Sequence, residues 1–290
     1  MPDERDPING FEPEPDGEAP GKTAKSAASA EPQDLEWAKS ATSWEPMADA
    51  AAAANGAGAA LDAFGNPDIV LDQDLLAANR IVHPESERAF LDSYNLLRTQ
   101  VLHRTRPKGH NVIMVTSAVG GEGKSLTALN LAVSISRALD QFALLVEADL
   151  RHPALCDTLG IQVEQGLSDH LILDVPVSKL LIRPDLHKLS ILPAGRPIRG
   201  TTEILDSPQM KALIKEMKDR YPDRYVIFDC PALLEAPDAL VFSSFVDGIL
   251  LVAEAGRTPR EKIRKAVELL EGKNIVGLVL NKSHSQEVRS

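Results

Sequence analysis

From residue 111 onward, short apolar runs alternate with stretches whose apolar residues recur every three to four positions. Six runs have strand character, at residues 112–115, 142–146, 189–192, 225–228, 248–252 and 275–280. Helical patterns separate them near residues 124–139, 208–220, 239–245 and 259–270. Near-continuous apolar strands separated by helices are typical of a parallel sheet covered on both faces. We therefore predict a doubly wound α/β domain with a mostly parallel sheet.

A further amphipathic helix is predicted over residues 85–102. Its apolar stripe, spaced for 3.6 residues per turn, consists of Phe90, Tyr94, Leu97 and Val101. A shorter apolar stretch begins near residue 69, and a charged link over residues 104–110 leads to the first strand. We expect residues 67–108 to form a helical segment before a domain at 109–284, followed by a short tail at 285–290.

The first 66 residues differ from the rest in composition. They are rich in Pro, Glu, Asp, Ala and Gly and poor in branched apolar residues, which predicts a disordered acidic leader. Residues 1–80 carry 16 Asp+Glu and 5 Lys+Arg, whereas residues 81–290 carry 26 of each sign. A neutral domain without a clustered basic face gives no reason to expect nucleic-acid binding.

The sequence shows no targeting or membrane-spanning pattern. Its N-terminus lacks the basic and apolar regions of a secretory signal, and no run of about 18 apolar residues occurs. Cys156 and Cys230 are too few for a disulfide framework and lack the spacing of a metal site. We therefore expect a cytoplasmic protein.

The first predicted strand is followed by the sequence SAVGGEGKS at residues 117–125. A glycine-rich loop between a strand and a helix, ending in Lys-Ser, is the pattern of a phosphate-binding (P-loop) site. Three glycines let backbone N–H groups approach phosphate oxygens without obstruction from a Cβ atom: Gly120, Gly121 and Gly123. Lys124 is expected to reach the β- and γ-phosphates of ATP, and the Ser125 hydroxyl to ligate Mg²⁺.

Acidic residues stand at the ends of two other predicted strands, where parallel α/β sheets place their ligand-binding groups. Asp229 is predicted to be an outer ligand of Mg²⁺, with a turn-forming aspartate as the alternative. Glu147 and Asp149 lie on the same side of an extended chain. They are predicted to position metal, water or an incoming hydroxyl, unless they cap the following helix.

Two further polar residues allow more than one interpretation. Arg151 is either a surface charge or a contact to phosphate or to a partner. Asn281 ends the last predicted strand, where either a base-recognising side chain or a turn residue would fit.

Three motifs carry a resemblance to a known family: AVGGEGKS at 118–125, LLVEADLRHP at 144–153 and YVIFDCP at 225–231. In this order they resemble the bacterial tyrosine kinases of capsule and exopolysaccharide export. These kinases share a P-loop branch with septum-positioning and plasmid-partitioning ATPases. The resemblance covers residues 69–282. It is strongest to the stand-alone type, which lacks a membrane span and acts beside a membrane chain-length regulator.

The resemblance implies roles for individual residues. Catalytic roles fall on Lys124, Asp149, Glu147 and Asp229, and Mg²⁺ would be held by Ser125, Asp149 and Asp229. The implied nucleotide-binding set is Gly120, Gly121, Glu122, Gly123, Lys124, Ser125, Leu126 and Asn281. Within that set, Asn281 would contact adenine.

The resemblance also implies activity and partners. The activity would be ATP-dependent phosphorylation of protein tyrosines in trans, between subunits of a homo-oligomeric ring. The predicted helix with Asp92, Tyr94 and Arg98 matches the family's oligomerisation helix. The cytosolic segment of a membrane polysaccharide co-polymerase would be the partner that keeps the chain at the inner face of the membrane.

Two departures from the family pattern keep an alternative open. Glu147 stands where the family has an aspartate, and catalytic geometry is sensitive to displacements of about 1 Å. The tail also lacks the family's tyrosine cluster, so the tyrosines of the whole chain are Tyr94, Tyr221 and Tyr225. The alternative function is a P-loop ATPase that hydrolyses ATP as an assembly switch without phosphorylating tyrosine.

Overall fold

A six-stranded sheet lies at the centre of the computed structural model, which describes residues 69–220 and 224–283. The strands are β1 Val112–Ser117, β2 Phe142–Glu147, β3 Leu189–Leu192, β4 Arg224–Asp229, β5 Gly248–Glu254 and β6 Ile275–Asn281. Their order is β3-β2-β4-β1-β5-β6, and every pairing is parallel. The structure therefore confirms all six predicted strands and the parallel sheet.

Helices of very different length connect these strands. The longer ones are α2 Arg88–Thr105, α3 Lys124–Ser136, α8 Pro208–Arg220 and α10 Arg260–Leu269. The shorter ones are α1 Gln73–Ala78, α4 Leu155–Leu159, α5 Leu167–Leu173, α6 Val177–Leu180, α7 Thr201–Leu205 and α9 Asp238–Phe242. The sequence pattern did not predict α4 to α7, because helices of one or two turns do not establish a recurring apolar stripe.

Helices cover both faces of the sheet, as predicted. One face packs against α5, α6, α8, α9 and α10 through Leu167, Leu180, Met210, Phe242 and Ala266. The opposite face packs against α1 to α4 through Leu76, Val101, Leu129 and Leu155. Because successive strand residues point to opposite faces, Met114 joins the first cluster and Ile113 the second.

The predicted amphipathic helix corresponds to α2. Its stripe of Phe90, Tyr94, Leu97 and Val101 packs on the second face of the sheet, as expected from the spacing. The charged link predicted over 104–110 is wrong in part, since α2 continues to Thr105 and a 3₁₀ turn follows at Arg106–Lys108. Proline fits this turn because the first helical positions need no N–H donor.

Sheet topology decides where a site can form. β1 lies between β4 and β5, and the strand order reverses beside it. Ligands of such sheets bind at the carboxyl ends of the strands, next to this reversal. No helix among residues 69–220 and 224–283 is long and apolar enough to cross a bilayer. The predicted leader at 1–66 and tail at 285–290 lie outside the described residues.

Candidate active site

The phosphate loop joins β1 to α3, as the sequence predicted. Its last residue before the helix, Gly123, has a left-handed backbone with φ 88°, which is strained for any residue with a side chain. The amide nitrogen of Asn281 occupies the space that a Cβ atom on Gly123 would need. Glycine is therefore required at position 123 both for the turn and for the approach of β6.

Lys124 lies at the centre of a charged cluster. Its Nζ atom donates to Asp149 Oδ2 at 2.8 Å and lies 3.7 Å from Asp229 Oδ1. Burial alone would lower the pKa of Lys124, but the charges of the two carboxylates outweigh burial and raise it above the ordinary value. The side chain is therefore a stably charged ammonium group at the mouth of the phosphate loop.

Asp229 is the most deeply buried member of the cluster. Its side chain is 1% exposed, and neither carboxylate oxygen has a hydrogen-bond partner among the described residues. Burial raises the pKa of Asp229, and the nearby Lys124 ammonium opposes that shift. A buried carboxylate whose oxygens accept no hydrogen bond from the described residues fits a hard cation such as Mg²⁺, which prefers oxygen ligands. The donor set here therefore suits the metal that the sequence predicts.

Glu147 and Asp149 diverge, although they were predicted to act together. Glu147 Oε1 accepts hydrogen bonds from the backbone N–H groups of Ala154 and Leu155 at 2.6 and 2.7 Å, and Oε2 accepts from Ala194. This is the helix-capping alternative, because those N–H groups begin α4. Burial raises the pKa of Glu147. Asp149 instead faces Lys124, so only the second acid adjoins the phosphate loop.

The remaining predicted nucleotide contacts surround the loop. Ser125 Oγ lies 3.2 Å from Lys124 Nζ. The Glu122 carboxylate accepts from Val119 N and from the Thr258 hydroxyl, and therefore braces the loop. Gly121 O accepts from Lys282 Nζ at 2.8 Å. Thr258 and Lys282 thus contact the loop, although the sequence analysis predicted no role for either residue.

Asn281 and Leu126 line a cavity of about 500 Å³ between α2 and the end of β6. The Asn281 amide also donates to Glu122 O at 2.9 Å, so it is attached to the phosphate loop. The aromatic rings of Phe90 and Tyr94 line the same cavity and meet edge to face at 5.2 Å. A planar apolar group with a polar edge would match this lining.

Arg151 is neither an unpaired surface charge nor a contact of the phosphate loop. Its guanidinium forms a bidentate pair with the buried Asp238, at 2.7 and 3.0 Å. Asp238 also accepts from the hydroxyls of Thr201 and Thr202. This network fastens the segment after β2 to α7 and α9, and a lone arginine in the sequence gave no signal for it.

Asp238→Asn is expected to destabilise the protein by about 1–2 kcal/mol, because a half-exposed arginine and two hydroxyls lose a charged acceptor. Burial alone would raise the pKa of Asp238, but hydrogen bonds from Arg151 and the threonine hydroxyls lower it. The stabilisation is therefore present above the ordinary aspartate pKa of about 4 and is lost as pH falls through the lowered value. Urea unfolding at pH 7 and at acidic pH measures this.

The exposed pair of Asp206 and Lys211 supplies the control for this prediction. Asp206→Asn should change the unfolding free energy by less than about 0.5 kcal/mol. An equal loss of unfolding free energy in both variants would show that the Arg151–Asp238 network stabilises the fold no more than an exposed ion pair does.

The helix expected to mediate oligomerisation is directed partly into its own domain. Arg98 donates to Ser134 O at 2.7 Å, and Tyr94 is half-buried against the core. Burial raises the pKa of Tyr94. Asp92 is exposed and faces Arg88 at 3.8 Å. Among these three predicted residues, Asp92 is the one whose side chain faces solvent.

Known proteins similar to this chain include kinases of comparable length. CpsD of Streptococcus agalactiae, a tyrosine-protein kinase, is 29% identical over 192 residues, which cover 65% of this chain and 82% of CpsD. YwqD of Bacillus subtilis strain 168, also a tyrosine-protein kinase, is 31% identical over 205 residues, which cover 70% of this chain and 85% of YwqD. No family model matches the chain.

A longer relative and two solved structures extend the comparison. The succinoglycan biosynthesis transport protein ExoP of Rhizobium meliloti is 31% identical over 72% of this chain and 27% of ExoP. The chimerical protein CapA2B2 has a TM-score of 0.64 and 25% identity, covering 74% of this chain and 92% of that one. The septum site-determining protein MinD of Pyrococcus horikoshii, complexed with Mg-ADP, has a TM-score of 0.50 and 25% identity, covering 59% and 69%. The sequence motifs, the fold and the similarity to YwqD together place this chain in the family of bacterial tyrosine-protein kinases of capsule and exopolysaccharide biosynthesis.

Proposed function

We propose that the chain transfers the γ-phosphoryl group of Mg-ATP to tyrosine hydroxyl groups of other protein chains. The observation that carries this proposal is the cluster of Lys124, Asp149 and Asp229 at the mouth of the phosphate loop. This cluster contains the Lys124 ammonium, which is suited to phosphate, and the buried Asp229 carboxylate, whose oxygens have no hydrogen-bond partner among the described residues. The names of CpsD and YwqD support the choice of tyrosine as the acceptor.

Lys124 grips the β- and γ-phosphates when ATP enters, and so exchanges its contact with Asp149 for phosphate oxygens. Ser125, Asp149 and Asp229 are the residues that would hold Mg²⁺, which would supply positive charge to offset the charge that develops on the phosphoryl group. The N–H groups of Gly120, Gly121 and Gly123 would complete the phosphate contacts with the start of α3.

Once Lys124 has turned to phosphate, the Asp149 Oδ2 atom that it leaves would be free to receive the tyrosine hydroxyl, while the other carboxylate oxygen of Asp149 would remain for Mg²⁺. The tyrosine oxygen then bonds to the γ-phosphorus, ADP leaves with the bridging oxygen, and the hydroxyl proton passes to the Asp149 carboxylate. Glu147 contributes by holding the start of α4 and the segment after β3 in place. We propose that its longer side chain preserves catalysis through this positioning.

The cavity between α2 and β6 is proposed to take the adenine ring. Leu126 offers an apolar wall, and the Asn281 amide offers a polar edge beside the phosphate loop. The aromatic side chains of Phe90 and Tyr94 also line this cavity.

A membrane chain-length regulator is the proposed partner, and the chain is proposed to act in the cytoplasm at the inner membrane face. ExoP, a transport protein, is almost four times as long as the segment that matches this chain. The name of ExoP, a succinoglycan biosynthesis transport protein, supports a partner that acts in polysaccharide transport. The exposed Asp92 of α2 is proposed to take part in contacts between subunits.

The alternative of an ATPase switch is favoured by the environment of the described tyrosines. Tyr225 is buried and its hydroxyl lies 3.0 Å from Thr105 Oγ1, while Tyr94 is half-buried. Neither is placed as an acceptor in trans. If no other chain serves as acceptor, the same site would transfer the phosphoryl group to water.

A phosphotyrosine blot after incubation with Mg-ATP distinguishes the two functions. The purified chain is incubated alone, and with the cytosolic segment of a membrane chain-length regulator. We expect a phosphotyrosine signal on the partner segment, with at least a hundredfold loss in Lys124→Ala. ATP consumption without any phosphotyrosine would overturn the kinase proposal in favour of the ATPase switch.

A further inference from the structure

The loop between β4 and α9 places a carboxylate directly on the phosphate loop. Glu235 Oε1 accepts a hydrogen bond from the backbone N–H of Gly120 at 2.5 Å. A Cβ atom on Gly120 would lie 2.9 and 3.0 Å from the two carboxylate oxygens. The Glu235 carboxylate therefore packs directly against the backbone of Gly120.

The segment that carries Glu235 is fixed on both sides. Leu233 N donates to Ser117 O at 2.9 Å, and Leu234 N donates to Ala118 O at 3.1 Å. On the other side, Asp238 is held by the bidentate pair with Arg151. The Glu235 side chain itself is exposed. It can rotate away from Gly120 without any movement of the backbone.

Backbone N–H groups of a phosphate loop donate to phosphate oxygens when a nucleotide binds. A carboxylate on one of these groups is an anion in the place of a phosphate oxygen. A carboxylate and a phosphate cannot share this donor, because their like charges repel at contact distance. We propose that Glu235 competes with the nucleotide's phosphates for the Gly120 N–H and thereby sets the affinity of this site for ATP.

This inference rests on the proposed nucleotide site and goes beyond it. A residue of the same chain occupies the Gly120 N–H and must leave it before a phosphate oxygen can take its place. The Glu235–Gly120 contact lowers the affinity of the site for ATP. The fraction of sites that hold ATP would therefore respond to changes in ATP concentration or in partner binding. Since Glu235 is exposed, salt screens the repulsion.

Calorimetric titration of the full chain with Mg-ATP tests the proposal, using Glu235→Ala beside wild type. The control is Glu203→Ala, which removes an exposed acid from α7. We expect Glu235→Ala to bind ATP about tenfold more tightly at low salt, with the difference narrowing at high salt. Glu203→Ala should bind as wild type does. Because Glu235 is exposed, its truncation should leave the melting temperature without ATP unchanged.

Two results would overturn the competition while leaving the nucleotide site intact. One is unchanged or weaker ATP binding by Glu235→Ala, with wild type binding normally. The other is equal tightening by Glu203→Ala, which would make the effect one of overall charge. If wild type bound ATP no better than Lys124→Ala, the proposed function itself would fail, and the competition with it.

Discussion

Lys124→Ala is expected to abolish the stabilisation of the protein by Mg-ATP. At an ATP concentration one hundred times the dissociation constant, wild type should gain about 2.7 kcal/mol. The variant should gain nothing, because the phosphate-gripping ammonium is gone. Without ATP, the variant should also lose about 3–5 kcal/mol, since Asp149 and Asp229 remain buried without their cation. Thermal melts with and without Mg-ATP measure both effects.

The matched control is Lys262→Ala, which removes an exposed lysine from α10. It should leave both the melting temperature and the shift with ATP unchanged. A full ATP shift in Lys124→Ala would contradict the assignment of the phosphate loop. A loss of ATP shift in both variants would point to a general effect of charge.

Asp229→Asn is expected to have the opposite effect on stability. Burial raises the pKa of Asp229, so folding becomes less favourable as pH rises from about 4 through the raised value. Removing the charge should therefore stabilise the protein measured without nucleotide at neutral pH, and leave its stability unchanged in strong acid. Phosphoryl transfer should fall at least a hundredfold, and its dependence on Mg²⁺ should weaken.

Asp247→Asn provides a contrast for Asp229→Asn. Asp247 lies at the amino end of β5, away from the carboxyl ends that carry the site. There it accepts hydrogen bonds from Asn111 N and Val112 N and pairs with Lys218. Its replacement should destabilise folding but leave the Mg²⁺ dependence of the remaining activity intact. Equal losses of stability and Mg²⁺ dependence in Asp229→Asn would indicate a structural role for that carboxylate.

The parts of the fold that the sequence predicted are those with a repeated physical signal. Strands β1 to β5 are runs of residues buried on both faces, as at residues 225–228, and β6 is an apolar run that is only partly buried. The stripe of Phe90, Tyr94, Leu97 and Val101 predicted α2 for the same reason. The short helices α4 to α7 carry no such repeat, and their ends are fixed by tertiary contacts such as those of Glu147 with Ala154 and Leu155.

The sequence predicted those parts of the candidate site whose residues are adjacent in the chain or directly follow a strand. The glycine-rich turn and Lys124 are adjacent in sequence, and Asp229 directly ends a strand beside β1. Contacts between distant segments were not predictable. Glu235 lies 115 residues from Gly120, and no spacing rule connects them.

The partition of the γ-phosphate of ATP between tyrosine and water tests the central proposal most directly. The full chain would be incubated with ATP labelled at the γ-phosphate, Mg²⁺ and the partner's cytosolic segment, beside Lys124→Ala. Label on tyrosine and free labelled phosphate would be counted in the same samples. The proposed function predicts Lys124-dependent label on tyrosine as the main product. Free phosphate alone, with no label on tyrosine, would contradict it.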